Sequence, residues 1–153
     1  MTDVVLLDVN VLVAIAWPNH VHHAVAREWF IERRPAQWAT CPVTESGFVR
    51  ISSNTKAIPA AVSPAEAVEL LVQLRKQPGH TFWSDSISIA ESRHVPRSRL
   101  VSYAQVTDAH LLSLAREYGA RLATFDRGLS ALAQPDESRD ILLLQSVPLP
   151  RDR

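Results

Sequence analysis

Apolar residues fall along the chain in two rhythms. Val4 to Leu7 is a short, unbroken apolar run that ends at an acid, Asp8, and reads as a buried strand. Asn10 to Ala16 then reads as a short helix. Trp17-Pro18-Asn19 ends it, because proline disfavours a helical predecessor. A second helix is expected from about His20 to Arg34, with Val21, Ala24, Val25 and Phe30 near helical spacing. Ala36 to Thr40 is a brief strand candidate. Pro42 suits the first turn of the next helix, which carries Thr44 to Ser52.

The clearest helix follows Ser63. Ser63 is a plausible N-cap, Pro64 fits the first position, Glu66 lies three residues on, and Pro78-Gly79 ends the segment. Residues around Phe82 form a further strand candidate. Thr107 is expected to cap a helix from Asp108 to Tyr118, with Gly119 as its C-terminal glycine. Arg121 to Phe125 reads as a strand, Gly128 to Ala133 as a short helix and Asp140 to Gln145 as the last strand. The segments Asn54 to Pro64 and Asp85 to Ser102 read as polar, helix-poor loops. Strands alternating with helices predict an α/β architecture, layered around a mainly parallel sheet. No repeat or linker interrupts it, so a single domain is expected over residues 1–147, with a tail at 148–153.

Composition narrows the class. The chain has 153 residues, 46% apolar and 21% charged, enough for one domain with a real core and unlike a disordered chain. Lysine plus arginine equals aspartate plus glutamate at 16 each. A neutral balance does not advertise nucleic-acid binding, but local charge decides that. The single cysteine, Cys41, excludes an intrachain disulfide and a cysteine zinc site, and fits a reducing, cytoplasmic setting. The apolar N-terminus lacks a basic opening and carries Asp3 and Asp8, so it does not read as a signal peptide. No apolar run approaches the roughly 20 residues of a membrane span.

Four acids carry the candidate chemistry. Asp8 and Asp126 each follow a strand, Asp108 lies in the first turn of the late helix, and Glu45 lies on the helix that begins near Cys41. Ligands of parallel sheets bind outside the carboxyl ends of the strands. If the strands before Asp8 and Asp126 are neighbours, both carboxylates reach one edge. Clustered carboxylates repel, and a divalent cation with hard oxygen preferences relieves that repulsion. Such an arrangement suits metal-assisted phosphodiester cleavage and needs no nucleophilic serine or cysteine. Asn10 and Thr124 stand two residues from Asp8 and Asp126 and can hold a carboxylate or a metal water in place. Arg50 is a candidate to touch RNA phosphate or to pair with an acid. Each residue also has a plainer reading. Asp8, Asn10 or Asp108 can simply cap a helix, Asp126-Arg127-Gly128 can be a turn, and Glu45 and Arg50 can be solvated.

The ordered set Leu6-Leu7-Asp8-Val9-Asn10-Val11-Leu12, Thr44-Glu45-Ser46-Gly47-Phe48-Val49-Arg50, Val106-Thr107-Asp108-Ala109-His110 and Ala123-Thr124-Phe125-Asp126-Arg127-Gly128-Leu129 resembles the PIN-domain family. It looks most like the VapC-type ribonuclease toxins of toxin–antitoxin pairs. The resemblance spans nearly the whole chain. It implies an α/β/α sandwich with a central parallel sheet and a Mg²⁺ or Mn²⁺ site on acids matching Asp8, Asp108 and Asp126, with Glu45 completing the catalytic set. It implies cleavage of structured RNA such as tRNA or rRNA, a homodimer, and a cognate antitoxin that covers the site. Asn10 and Thr124 match the family's neutral companions.

Three other readings compete. A haloacid-dehalogenase-like phosphatase needs two aspartates at the first strand end, and Asn10 stands at the second position. A non-catalytic PIN-fold binding module is opposed by the presence of all four acids. A histidine metal site at Asn19-His20-Val21-His22-His23 would place His20 and His23 three apart on a helix, with nothing nearby to complete it. The tryptophans, Phe30 and Phe48 read as core or interface residues rather than RNA-stacking groups. Asp85, Glu91, Arg93, Arg97 and Arg99 read as solvated charges, with phosphate contact as the alternative.

Overall fold

Five short strands lie side by side in the order β3-β2-β1-β4-β5, and all four pairings are parallel. They are β1 (Val5–Leu7), β2 (Trp38–Thr40), β3 (His80–Phe82), β4 (Arg121–Thr124) and β5 (Ile141–Leu143). The helices are α1 (Val9–Ala16), α2 (His23–Glu32), α3 (Pro42–Ser52), α4 (Pro64–Arg75) and α5 (Val106–Glu117). This computed structural model describes residues 3–33 and 36–145, so the tail expected at 148–153 lies outside the described residues.

The sheet is buried on both faces, which is why β1 reads as an unbroken apolar run rather than an alternating one. Val5 and Leu7 pack with Val11, Leu12, Phe30, Phe48 and Leu71, contributed by α1 to α4. Leu6 turns to the opposite face and packs with Leu111, Leu112 and Leu114 of α5, and with Leu129 and Leu132. Those three α5 leucines are fully buried, and burial of a leucine side chain contributes roughly 1.5–3 kcal/mol each.

The local signals hold where capping chemistry is strong. Ser63 accepts a hydrogen bond from the Glu66 N–H at 3.2 Å, and its hydroxyl donates to the Glu66 carboxylate at 2.9 Å. Gly119 ends α5 with φ of 64°, a left-handed conformation that glycine adopts without steric cost. Cys41 is buried at the start of α3, its N–H donating to Thr44 Oγ1 at 3.0 Å.

Elsewhere the boundaries move. α2 begins at His23, not His20, because His20 to His22 form a turn: the His20 N–H donates to the Trp17 carbonyl and the His23 N–H to the His20 carbonyl, each at 3.0 Å. α5 begins at Val106, continuing a 3-10 turn at Tyr103–Gln105 that Ser102 caps, so Thr107 is a helix residue and not the cap. The short helix expected at Gly128 to Ala133 is a 3-10 helix, Arg127–Leu132. A second 3-10 stretch, Pro135–Asp140, precedes β5. Asp85 is not merely solvated: its carboxylate lies 2.8 Å from His110 Nε2.

Candidate active site

The register of the sheet brings the first site residues together. Leu7 pairs with Ala123, so β1 and β4 end side by side. Asp8 and the Thr124–Asp126 segment therefore leave the sheet at one edge. α5 enters that edge with Asp108 in its first turn.

Asp8 is nearly buried and bonded on both oxygens. Its Oδ1 accepts from the Val9 N–H at 2.7 Å, which caps α1. Its Oδ2 accepts from Thr124 Oγ1 at 2.8 Å and from Asn10 Nδ2 at 3.4 Å. Capping and site chemistry are thus served by different oxygens of one carboxylate. Thr124 is fully buried, and besides donating to Asp8 it accepts from Asn10 Nδ2 at 3.2 Å and from the Asp126 N–H at 3.0 Å. Asn10 closes the network, its Oδ1 accepting from the Phe125 N–H at 3.1 Å. Asn10 and Thr124 therefore fasten α1 to the end of β4. Asp126 is exposed, and its Oδ1 accepts from the Gly128 N–H at 2.8 Å.

Asp8, Asp108, Asp126 and Asn10 line one cavity of about 350 Å³. Burial raises the Asp108 carboxyl to about 6, with repulsion from Asp8 and Asp126 adding to it. Burial also raises Asp8, with a smaller push from Asp126, while the bonds from Thr124 and Val9 oppose the rise. The three aspartates thus act on one another electrostatically, and their donors are all oxygen, the ligand type of hard divalent cations. Among the described residues no three His, Cys, Asp or Glu side chains stand close enough together to hold an ion by themselves. Mg²⁺ keeps several waters and takes only one or two carboxylates directly.

Glu45 stands apart from this cavity. Its Oε2 accepts from Thr40 Oγ1 at 2.6 Å, and its Oε1 lies 3.4 Å from Arg75 of α4. With its proton given to Glu45, the fully buried Thr40 hydroxyl accepts from His80 Nε2 at 2.8 Å. Burial lowers the His80 pKa, aided by Arg75 and opposed by Glu45. Thr40 thus does at the end of β2 what Thr124 does at the end of β4: it holds an acid by a buried hydroxyl. Thr40, His80 and Arg75 were not apparent as partners of Glu45 in the sequence. Arg50 is exposed on α3, in a groove that Glu45 also lines, and among the described residues no carboxylate pairs with it. A second feature missed in the sequence is His20, which lines the aspartate cavity. The histidine triplet does not gather into a metal site: His23 Nδ1 donates to the Ala14 carbonyl at 2.8 Å, and the His22 ring stacks on Phe125 at 4.5 Å.

A larger cleft of about 990 Å³ lies at the far end of α5, around Arg97, Arg99 and Arg116. None of the four site acids lines it, so its size does not make it the reaction centre. Among the described residues no helix is long and apolar enough to cross a membrane.

The chain is also similar to known proteins. The PIN domain family matches residues 5–135. The chain is 52% identical over 139 residues to Ribonuclease VapC38 of Mycobacterium tuberculosis (strain ATCC 25618 / H37Rv), covering 91% of this chain and 96% of that protein. It is 42% identical over 137 residues to Ribonuclease VapC44 of the same strain, covering 90% and 96%. Among solved structures it is similar to Mycobacterium tuberculosis VapC20, described as a sarcin–ricin loop cleaving toxin. That likeness has a TM-score of 0.59 and 16% identity, covers 83% of this chain and 93% of the other, and speaks for the fold. The sheet order, the shared aspartate cavity and these likenesses lead to one conclusion: the chain belongs to the PIN-domain family.

Proposed function

We propose that the protein is the toxin of a toxin–antitoxin pair, an endoribonuclease that hydrolyses phosphodiester bonds in structured RNA such as tRNA or rRNA. The observation that carries this reading is the meeting of Asp8, Asp108 and Asp126, from three separate parts of the chain, around one cavity. The likeness to proteins named ribonucleases supports it.

Asp8, Asp108 and Asp126 would hold Mg²⁺ or Mn²⁺. When bound, such an ion supplies a nucleophilic water at neutral pH and offsets charge at the phosphate. The residues of the chain do the rest. Thr124 and Asn10 hold the Asp8 carboxylate in place through Oδ2, and the Val9 N–H holds Oδ1. Val13, Ile51 and Ile58 give the cavity an apolar wall that limits bulk water. Glu45, clamped by Thr40 and Arg75, orients water or substrate from the side. Arg50, exposed on α3, would meet RNA phosphate.

The partners are a cognate antitoxin that brings a basic side chain to the acids, and a second copy of the chain. Strongly exposed apolar residues just before α5, Val101 at 85% and Tyr103 at 94%, support a covered surface near the site. The setting is the cytoplasm.

The test is RNA cleavage by the purified protein with Mg²⁺ or Mn²⁺, and with EDTA, beside Asp8→Ala prepared identically. Metal-dependent cutting that disappears in the variant is expected. A folded, metal-supplied protein that cuts no cellular RNA would favour a binding module instead.

A further inference from the structure

The aspartate cavity has one lining residue with a side chain unlike the others. His20 reaches its wall from the turn between α1 and α2. The Nδ1 of its ring accepts a hydrogen bond from the His22 backbone N–H at 3.0 Å. A neutral imidazole whose Nδ1 is an acceptor carries its proton on Nε2. Burial lowers the His20 pKa, with His22 and His23 adding to the effect, so the neutral ring is favoured. Among the described residues nothing bonds to Nε2.

The ring is held in place. The turn is closed by the His20 N–H to the Trp17 carbonyl and the His23 N–H to the His20 carbonyl. His22 stacks on Phe125 with planes 7° apart, and the Phe125 N–H is bonded to Asn10. The turn that carries His20 is therefore packed against the strand end that carries Thr124 and Asp126.

Such a donor would add to what the metal does at the phosphate. A phosphodiester gathers negative charge on its non-bridging oxygens as water attacks. Ionised aspartates only accept hydrogen bonds, so they cannot contact those oxygens favourably. The amide hydrogens of Asn10 are taken by Asp8 and Thr124, and the Thr124 hydroxyl donates to Asp8. Among the described lining residues, the Nε2–H of His20 is the side-chain N–H left for a ligand.

We propose that His20 is a further catalytic residue, donating its Nε2–H to a non-bridging oxygen of the scissile phosphate. No proton is transferred. The bond strengthens as charge grows, as a fixed donor aimed at developing charge does. This rests on the nuclease reading for the reaction, but the ligand it requires, a phosphodiester, can be tested without cleavage.

The test has two arms. In the first, protein labelled with ¹⁵N-histidine is titrated, with Mg²⁺ present, with an oligoribonucleotide whose central linkage is a non-hydrolysable 3′-methylene phosphonate. The free protein should show His20 as the Nε2–H tautomer, and ligand should shift that resonance while His94 and His110, which pair with Glu117 and Asp85, stay in place. An Nδ1–H tautomer, or a His20 signal unmoved by saturating oligonucleotide, overturns the proposal. In the second arm, His20→Ala should lower kcat about 100-fold with KM for RNA little changed. His20→Gln, whose amide nitrogen can overlie Nε2, should recover part of that loss. Wild-type kcat in His20→Ala overturns the proposal. If the wild-type protein cuts no RNA, the nuclease reading falls, and the first arm still decides whether His20 receives a phosphodiester.

Discussion

Thr124 Oγ1 donates a 2.8 Å hydrogen bond to Asp8 Oδ2, joining residues 116 positions apart in the chain. The same hydroxyl accepts from Asn10 and from the Asp126 N–H, so one buried oxygen ties two of the site's aspartates to the sheet. Thr124→Val keeps the volume and removes the hydroxyl. Two donors and one carboxylate oxygen then lose a partner in a nearly dry environment, at a cost of about 1–3 kcal/mol. The thermal midpoint should fall and RNA cleavage should drop, whereas Thr124→Ser should restore most of both. A valine variant with unchanged midpoint and rate would show that Val9 and Asn10 hold Asp8 without Thr124.

The Asp108 carboxyl sets a pH dependence of known sign. Its folded pKa of about 6 lies above the ordinary aspartate value of 3.8. Such a group favours the folded state below the unfolded pKa and loses that contribution as pH rises through about 6. A shift of about two units is roughly 3 kcal/mol at full strength. Asp108 is only half-buried, and solvent screening leaves about 1 kcal/mol. Asp108→Asn should therefore make the metal-free protein more stable at pH 8 and leave it unchanged near pH 4. It should also end cleavage. Thermal midpoints in EDTA across that range check the sign; an equal difference at every pH would remove the charge explanation.

Adding Mg²⁺ should stabilise the wild type at pH 7 by offsetting the same repulsion, and EDTA should reverse this. Asp108→Asn should gain less from the metal, since one of the three charges is gone. Equal metal stabilisation in both proteins would place the ion away from Asp108.

The aspartates were legible in the sequence because a buried strand announces where it ends. Val4 to Leu7 points at Asp8, and Arg121 to Phe125 points at Asp126. The Glu45 clamp was not legible. Thr40, His80 and Arg75 come from β2, β3 and α4, and meet only because β3 pairs beside β2 in one particular register. His20 was hidden by ambiguous periodicity. Histidines 20 and 23 fit helical spacing, yet the bonds closing on Trp17 and His20 make a turn, and that turn brings His20 to the cavity. The 3-10 turn before α5 concealed the helix start in the same way, since Ser102 rather than Thr107 does the capping.

The two supports of Glu45 should separate stability from activity. The Arg75 pair is partly exposed, and exposed pairs contribute only about 0–1 kcal/mol. Arg75→Gln should change the thermal midpoint little. Thr40 is fully buried and bridges Glu45 and His80, so Thr40→Val should cost about 1–3 kcal/mol. Both variants should slow RNA cleavage if Glu45 must be held in place. Full activity in Thr40→Val would remove Glu45 positioning from the mechanism.

The crossing of α1 and α3 depends on Gly47. A Cβ built there would come within 2.6 Å of Val9 Cγ2, and α1 begins directly after Asp8. Gly47→Ala gains helix propensity but must push the helices apart or turn Val9 out of its place. Overpacking of this kind costs roughly 1–3 kcal/mol. The displaced helix would carry the Val9 N–H away from Asp8 Oδ1, so activity should fall along with the midpoint. Val9→Ala in the same chain removes the clashing carbons. The double variant should therefore be more stable than the sum of the single changes predicts, by about 1 kcal/mol or more, because residues in contact do not behave additively. Additive midpoints would mean that the clash is relieved elsewhere and that the two helices are not held by this contact.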